Sequence, residues 1–241
     1  PFTLEVAELA RIKDITLEDY SAILLADVKD LPPGVAGRLK AYVLRGGGLW
    51  VLAESQGELG SYQALADILP GKLGELRPSA NRVGLLPEIK EMAQGLKRSP
   101  IDWGEFDLKE IVLEKRYSLE VDPRAKIWFR DASGEPVQMA GTFGQGKVLL
   151  WASALDIQWT NLALKPFFTA WVEMGLSYLT QYTPESQWRT LSLGQPIVRQ
   201  WTETEVAPIK VLLRAPSGRR STLLVEKRMV EYRDTREPGI Y

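Results

Sequence analysis

Two clusters of polar residues have the types and spacing to do chemistry. The first is Asp27 with Glu54, Ser55 and Gln56. Each part follows a short apolar run: Ala22-Ile23-Leu24-Leu25-Ala26 precedes Asp27, and Leu49-Trp50-Val51-Leu52-Ala53 precedes Glu54. In an open α/β sheet, ligands and reacting groups lie just past the carboxyl ends of such strands. Placed there, Asp27 and Glu54 would form a carboxylate pair for acid–base work or for holding a divalent ion. The second cluster is Asp156, Trp159 and Asn161. An aromatic ring between two polar side chains on a strand-to-helix loop suits contact with a sugar or a peptide.

What the chain lacks narrows this chemistry. Among 241 residues there is no cysteine and no histidine. Thiol nucleophiles, disulfides, Ser-His-Asp and Cys-His arrangements and ordinary zinc sites are therefore excluded. No catalytic residue, metal site or cofactor is expected. For the first cluster, the preferred reading is a solvated loop rim left from an ancestral active site, and the alternative is a small polar pocket. For the second, Asn161 capping the following helix, Trp159 packing as a staple and Asp156 bonding loop N–H groups are preferred over ligand contact. The string Asp131-Ala132-Ser133-Gly134-Glu135 departs from a metal-binding Asp-x-Ser-x-Ser loop at its last position and reads as a hairpin turn.

The elements that would position these residues follow from apolar periodicity. Thr3 to Leu9 alternates weakly, as a first strand would. Ala22 to Ala26 reads as a strand buried on both faces. Pro32-Pro33 opens a helix whose Val35, Leu39, Tyr42 and Val43 share a face, and Gly46-Gly47-Gly48 stops it. Leu49 to Ala53 is the next buried strand, completing a βαβ unit with parallel strands. Ser61 caps a helix over Tyr62–Leu69, Arg77 to Gly84 is loop, and Pro87 to Leu96 is a short helix. Ile111–Val121, Lys126–Arg130, Val137–Phe143 and Lys147–Ser153 then read as an antiparallel meander with tight turns. Leu164, Phe167, Phe168, Trp171, Met174, Tyr178 and Leu179 fall on one face of a long helix.

The best domain boundary is Tyr182-Thr183-Pro184-Glu185-Ser186. Beyond it, Trp188–Leu193, Pro196–Thr202, Ile209–Arg214, Ser221–Glu226 and Val230–Arg233 read as short strands of a small β-sandwich. The stretch Asp234 to Tyr241 resembles the tyrosine corner of immunoglobulin-like sandwiches, with a longer Asp-to-Tyr spacing. The expected layout is thus an α/β domain over 1–182 and a β-sandwich over 187–241. Pro1 at the start and the apparent cut at Tyr241 suggest a piece of something longer. Hydrophobic residues are 45%, charged residues 25% and the net charge is -1, so neither disorder nor a nucleic-acid partner is indicated. No run has transmembrane length. Arg214, Arg219, Arg220, Lys227 and Arg228 are interleaved with acids and read as a solvated β surface.

Two stretches carry a family resemblance. One runs from Tyr20-Ser21-Ala22-Ile23-Leu24-Leu25-Ala26-Asp27-Val28 through Leu39-Lys40-Ala41-Tyr42-Val43-Leu44-Arg45-Gly46-Gly47-Gly48-Leu49. The other is Gly144-Gln145-Gly146-Lys147-Val148, then Asp156-Ile157-Gln158-Trp159-Thr160-Asn161, then Leu164-Lys165-Pro166. Together they resemble the extracytoplasmic region of bacterial membrane proteins with an aerotolerance-regulator (BatA-type) N-terminal membrane hairpin, in which a class I glutamine amidotransferase-like domain follows the hairpin. The resemblance covers roughly residues 1–182. It implies a flavodoxin-like sheet with helices on both faces, a membrane-anchored parent protein at the bacterial envelope, and an extracytoplasmic location for this region. Amidotransferases place a nucleophilic Cys on the turn that here reads Ala53-Glu54-Ser55-Gln56-Gly57, so their activity does not carry over. The expected function is a non-catalytic interaction or scaffold region with protein partners at the envelope. The alternative is carbohydrate or nucleotide binding, or residual hydrolase activity, at the strand-end rim.

Overall fold

The computed structural model describes residues 3–56, 59–79, 84–88, 90, 92, 105–180, 192–200, 208, 210–239 and 241. The chain divides into two compact units, Pro1–Thr183 and Pro184–Tyr241.

The larger unit is a mixed α/β structure built on a six-stranded sheet. Its strands are β1 (Ala22–Leu25), β2 (Gly48–Leu52), β4 (Leu85–Pro87), β6 (Lys126–Asp131), β7 (Pro136–Phe143) and β8 (Gly146–Trp151), in the spatial order β1-β2-β8-β7-β6-β4. β1, β2 and β8 are parallel, and β7, β6 and β4 continue the sheet antiparallel. The helix α1 (Val35–Leu44) joins β1 to β2, and α3 (Phe167–Thr180) follows β8, with the short α2 (Gly60–Ala64) between them in sequence.

β2 is buried along its whole length, as its unbroken apolar run requires. Its side chains alternate between two cores. Leu49 and Val51 pack with Val35, Leu39, Tyr42 and Val43 of α1. Trp50 and Leu52 pack with Phe167, Trp171 and Met174 of α3. The two helices therefore cover opposite faces. Two glycines make these contacts possible. A Cβ on Gly47 would lie 2.2 Å from the Tyr42 ring, and one on Gly175 would lie 2.2 Å from the Trp50 ring. With that space open, the Trp50 and Trp171 ring centroids approach to 4.5 Å.

Several local expectations are corrected. Residues 3–8 carry no regular structure, because Leu4 and Val6 stay more than 80% exposed with no sheet to join. The helix expected over Tyr62–Leu69 is instead α2 followed by a 3-10 turn at Ala66–Ile68, and Ser61 donates to the Lys29 carbonyl rather than capping. Arg77 and Pro78 belong to a strand, β3 (Gly71–Pro78), which pairs antiparallel with β5 (Lys115–Val121). β3 has no apolar alternation to reveal it, since only its pairing with β5 makes it a strand. β5 itself is shorter than the Ile111–Val121 alternation suggests and stands outside the six-stranded sheet. Pro87 ends β4, and most of the helix expected after it falls outside the described residues.

The smaller unit contains β9 (Ile197–Gln200), β10 (Lys210–Arg214), β11 (Arg220–Leu224) and β12 (Met229–Tyr232), with β9 paired to β12 and β10 to β11, both antiparallel. The expected strand at Trp188 and the boundary at Tyr182–Ser186 lie outside the described residues, apart from Ser192 and Leu193, which are not strand.

Candidate functional site

The parallel strands β1, β2 and β8 end side by side, so the residues after them gather at one edge of the sheet: Asp27, Glu54 and Ser153. Asp27 is exposed and has left-handed backbone, φ 53°. Its carboxylate accepts from the Ser55 N–H at 2.6 Å and from the Ser55 hydroxyl at 3.3 Å. This bond ties the tail of β1 to the tail of β2. Gln56 is exposed, and its amide nitrogen donates to the Ser55 hydroxyl at 3.2 Å.

Glu54 has no exposed surface. Its Oε1 accepts from the Tyr117 hydroxyl at 2.7 Å, and its Oε2 accepts from the Gln56 N–H. The same hydroxyl lies 3.1 Å from the Glu54 carbonyl oxygen. Beside it, Tyr62 donates to the Leu52 carbonyl at 3.1 Å. Burial, reinforced by the nearby Glu54 charge, pushes the Tyr62 phenol far above its ordinary range, so it stays a donor. Ser153, also without exposed surface, donates to the Lys115 carbonyl at 2.8 Å. The two carboxylates that sequence places together thus have different partners: Asp27 turns to Ser55, and Glu54 turns inward to Tyr117.

The second cluster explains how Tyr117 arrives. Asn161 does not cap a helix. Its side-chain oxygen accepts from the Val112 N–H at 2.7 Å, and its amide donates to the Glu110 carbonyl at 3.1 Å. The Thr160 hydroxyl donates to the Val112 carbonyl at 2.8 Å, and the Glu114 N–H donates to the Trp159 carbonyl at 2.7 Å. Residues 110–114 are thereby laced along residues 159–161, and the chain then enters β5. Asp156 holds the loop itself, accepting from the Gln158 N–H at 2.7 Å. Trp159 is buried, with its ring centroid 5.6 Å from that of Tyr117 and the Lys115 ammonium 5.6 Å above it. Ala53, Ala154, Tyr117 and Trp159 form one apolar cluster. The two candidate sites are one connected structure, in which the Asp156–Asn161 loop seats β5 and β5 closes the strand ends.

Sequence reasoning missed Tyr62, Tyr117 and Ser153. Tyr117 stands in an alternating stretch, where a buried tyrosine always needs a partner for its hydroxyl, but only the fold shows that the partner is 63 residues away.

Asp131 is a further buried carboxylate, at the β6–β7 hairpin. It accepts from the Arg116 guanidinium at 2.7 Å and from the Ser133 and Glu135 N–H groups at 2.9 and 3.0 Å. Burial works to raise its pKa, but the bonds from Ser133, Glu135 and Arg116 outweigh it and hold the group below its ordinary value. A groove of about 360 Å³ lies elsewhere, between Leu17 and Glu18 on one side and, on the other, Gly34 just before α1 with Gly37 and Ala41 along it. Among the described residues there is no cluster of three or more acidic side chains that could hold a metal ion, and no helix is long and apolar enough to cross a membrane.

No family model matches the chain, and no curated protein does. Solved structures resemble it in fold. The Cytoplasmic Protein STM3548 from Salmonella typhimurium superposes with a TM-score of 0.55 at 18% identity, covering 70% of this chain and 74% of that one. A GH42 beta-galactosidase, Gan42B, gives 0.48 at 15% identity over 92% of this chain and 33% of its own. The mmIFT52 N-terminal domain gives 0.48 at 14% identity over 70% of this chain and 82% of that one. The first of these shows a shared mixed α/β fold and nothing finer.

Proposed function

We propose that the chain is a non-catalytic interaction or scaffold region of a membrane-anchored bacterial envelope protein. Its larger unit is read as a flavodoxin-like, class I glutamine amidotransferase-like domain, and its smaller unit as an immunoglobulin-like β-sandwich. The observation that carries the non-catalytic reading is the condition of Glu54. It occupies the turn where an amidotransferase holds its nucleophile. It has no exposed surface, and both its carboxyl oxygens accept bonds from the protein's own Tyr117 and Gln56. A carboxylate held this way ties strand ends together instead of meeting a substrate. The absence of Cys and His agrees with this. The flavodoxin-like reading draws on the parallel β1, β2 and β8 with α1 and α3 on opposite faces. The immunoglobulin-like reading draws on Tyr241, whose hydroxyl donates to the Glu237 carbonyl at 2.9 Å in the manner of a tyrosine corner.

The test is a pull-down from bacterial membranes with the intact parent protein, beside a glutamine-hydrolysis assay. Envelope proteins captured equally by the parent and by a folded Glu54→Gln variant, with no hydrolysis by either, are the expected result. Hydrolysis that Glu54→Gln abolishes would overturn the reading.

One observation favours the alternative of a carbohydrate or nucleotide at the rim. Asp27 is an exposed carboxylate on left-handed backbone beside Ser55 and Gln56, and strained backbone of this kind gathers at functional sites. Amide shifts at Ser55 and Gln56 on titration with saccharides or nucleotides, lost in Asp27→Ala, would establish it.

A further inference from the structure

The whole chain is almost neutral, but the β10–β11 sheet of the smaller unit is not. Its register pairs Lys210 with Leu224, Leu212 with Thr222 and Arg214 with Arg220. Directly opposed residues of an antiparallel pair point to the same face. All six are exposed on that face, while Val211, Leu213, Ser221 and Leu223 turn to the other and are half-buried or buried. Leu224 is 67% exposed and Leu212 is 42% exposed.

Four features set this face apart. Among the described residues it holds three cations and no acid. None of Lys210, Arg214 and Arg220 takes part in an ion pair among the described residues, whereas the neighbouring Arg219 is bound to Asp234 and to the Tyr232 hydroxyl. Arg214 stands directly opposite Arg220, a like-charge arrangement that destabilises a sheet unless an anion lies against it. Interleaved with the cations are two leucines that stay exposed.

We infer that this face is a docking surface for an anionic lipid bilayer. Charge complementarity calls for an acidic occupant. Among the described residues the face carries one hydroxyl, Thr222, and no aromatic ring, amide or carboxylate, so apart from its two arginines it offers none of the aromatic anchors that centre a specific protein interface. Long cationic side chains around exposed leucines match a fluid surface instead. The cations reach lipid phosphates and carboxylates while the leucines enter the boundary of the acyl region. Three basic residues give weak, salt-sensitive attraction. The inference stands on this face alone and does not depend on the role proposed for the larger unit.

The test is co-sedimentation of the whole chain with vesicles. Expected is binding to phosphatidylcholine vesicles containing about one-third phosphatidylserine at low salt, with none to pure phosphatidylcholine and release at high salt, as screening requires. Lys210→Glu with Arg220→Glu should lower the partition coefficient at least about tenfold, because each cation near an anionic surface contributes roughly a factor of five. Leu224→Ser should weaken binding less, and Lys13→Glu, in the other unit, should leave it unchanged. Failure to bind anionic vesicles, or equal binding by the double variant, would overturn the inference. So would capture by polyglutamate without capture by vesicles, which would assign the face to an acidic polypeptide.

Discussion

Tyr117 donates its hydroxyl to the carboxylate of Glu54 at 2.7 Å, across 63 residues of chain, with neither residue more than 1% exposed. This bond joins β5, which lies outside the main sheet, to the end of its fully buried strand β2. It turns the position where an α/β fold customarily works on a ligand into an internal fastening. A buried acceptor that loses its donor retains its desolvation cost. Tyr117→Phe should therefore lower stability by about 1–3 kcal/mol in urea unfolding. In a Glu54→Leu background the same change should cost clearly less. Equal costs in the two backgrounds would mean that the pair does not act as a unit.

The loop that seats β5 can be tested by local exchange. In Asn161→Ala the Val112 N–H loses its acceptor and the Glu110 carbonyl its donor. Amide exchange at Val112 and Glu114 should speed up by tenfold or more, while Trp50 and Leu149 in the sheet centre keep their protection. Uniform acceleration would show a global effect and remove the case for a local clamp.

Two glycines should respond oppositely to alanine. At Gly175 the new methyl would meet the Trp50 ring at 2.2 Å, so Gly175→Ala should destabilise by about 1–3 kcal/mol and shift tryptophan emission. At Gly37, in α1, nothing lies within 4 Å of the added Cβ. Gly37→Ala should stabilise by roughly 0.5–1 kcal/mol, since alanine loses less backbone entropy in a helix. Thermal unfolding of the two variants reads both signs.

The Asp131 carboxyl is held below its ordinary value of 3.8. A group whose pKa is depressed on folding adds stability that is complete above its unfolded value and is lost as pH falls through the folded one. Stability should thus decline on acidification below about pH 4, and Asp131→Asn should remove that part of the slope. Removing one partner of a buried ion pair is also costly at neutral pH, here because Arg116 is only 5% exposed, so Asp131→Asn should cost several kcal/mol at pH 7. An unchanged acid limb in Asp131→Asn would assign the acid sensitivity to other carboxylates.

Sequence alone determined those elements whose periodicity is strong and local. The buried run Leu49 to Ala53, the apolar face of Val35, Leu39, Tyr42 and Val43, and the face from Phe167 to Leu179 each state their structure within a dozen residues, because alternation and helical spacing reflect which side meets a core. It also determined that no thiol or imidazole chemistry is available. What only the tertiary structure decided is where polar residues turn. Gly71 to Pro78 has no pattern of its own and becomes a strand because β5 offers its hydrogen bonds. Asp27 and Glu54 look alike in sequence, yet one is solvated and the other sealed by a tyrosine from another part of the chain. Lys210, Arg214 and Arg220 merge into an evenly mixed charge pattern until β10 and β11 pair and put them on one face. The physical reason is common to all three. Apolar side chains carry their preference for burial with them, whereas a polar side chain takes its role from whichever partner the fold brings within hydrogen-bonding reach.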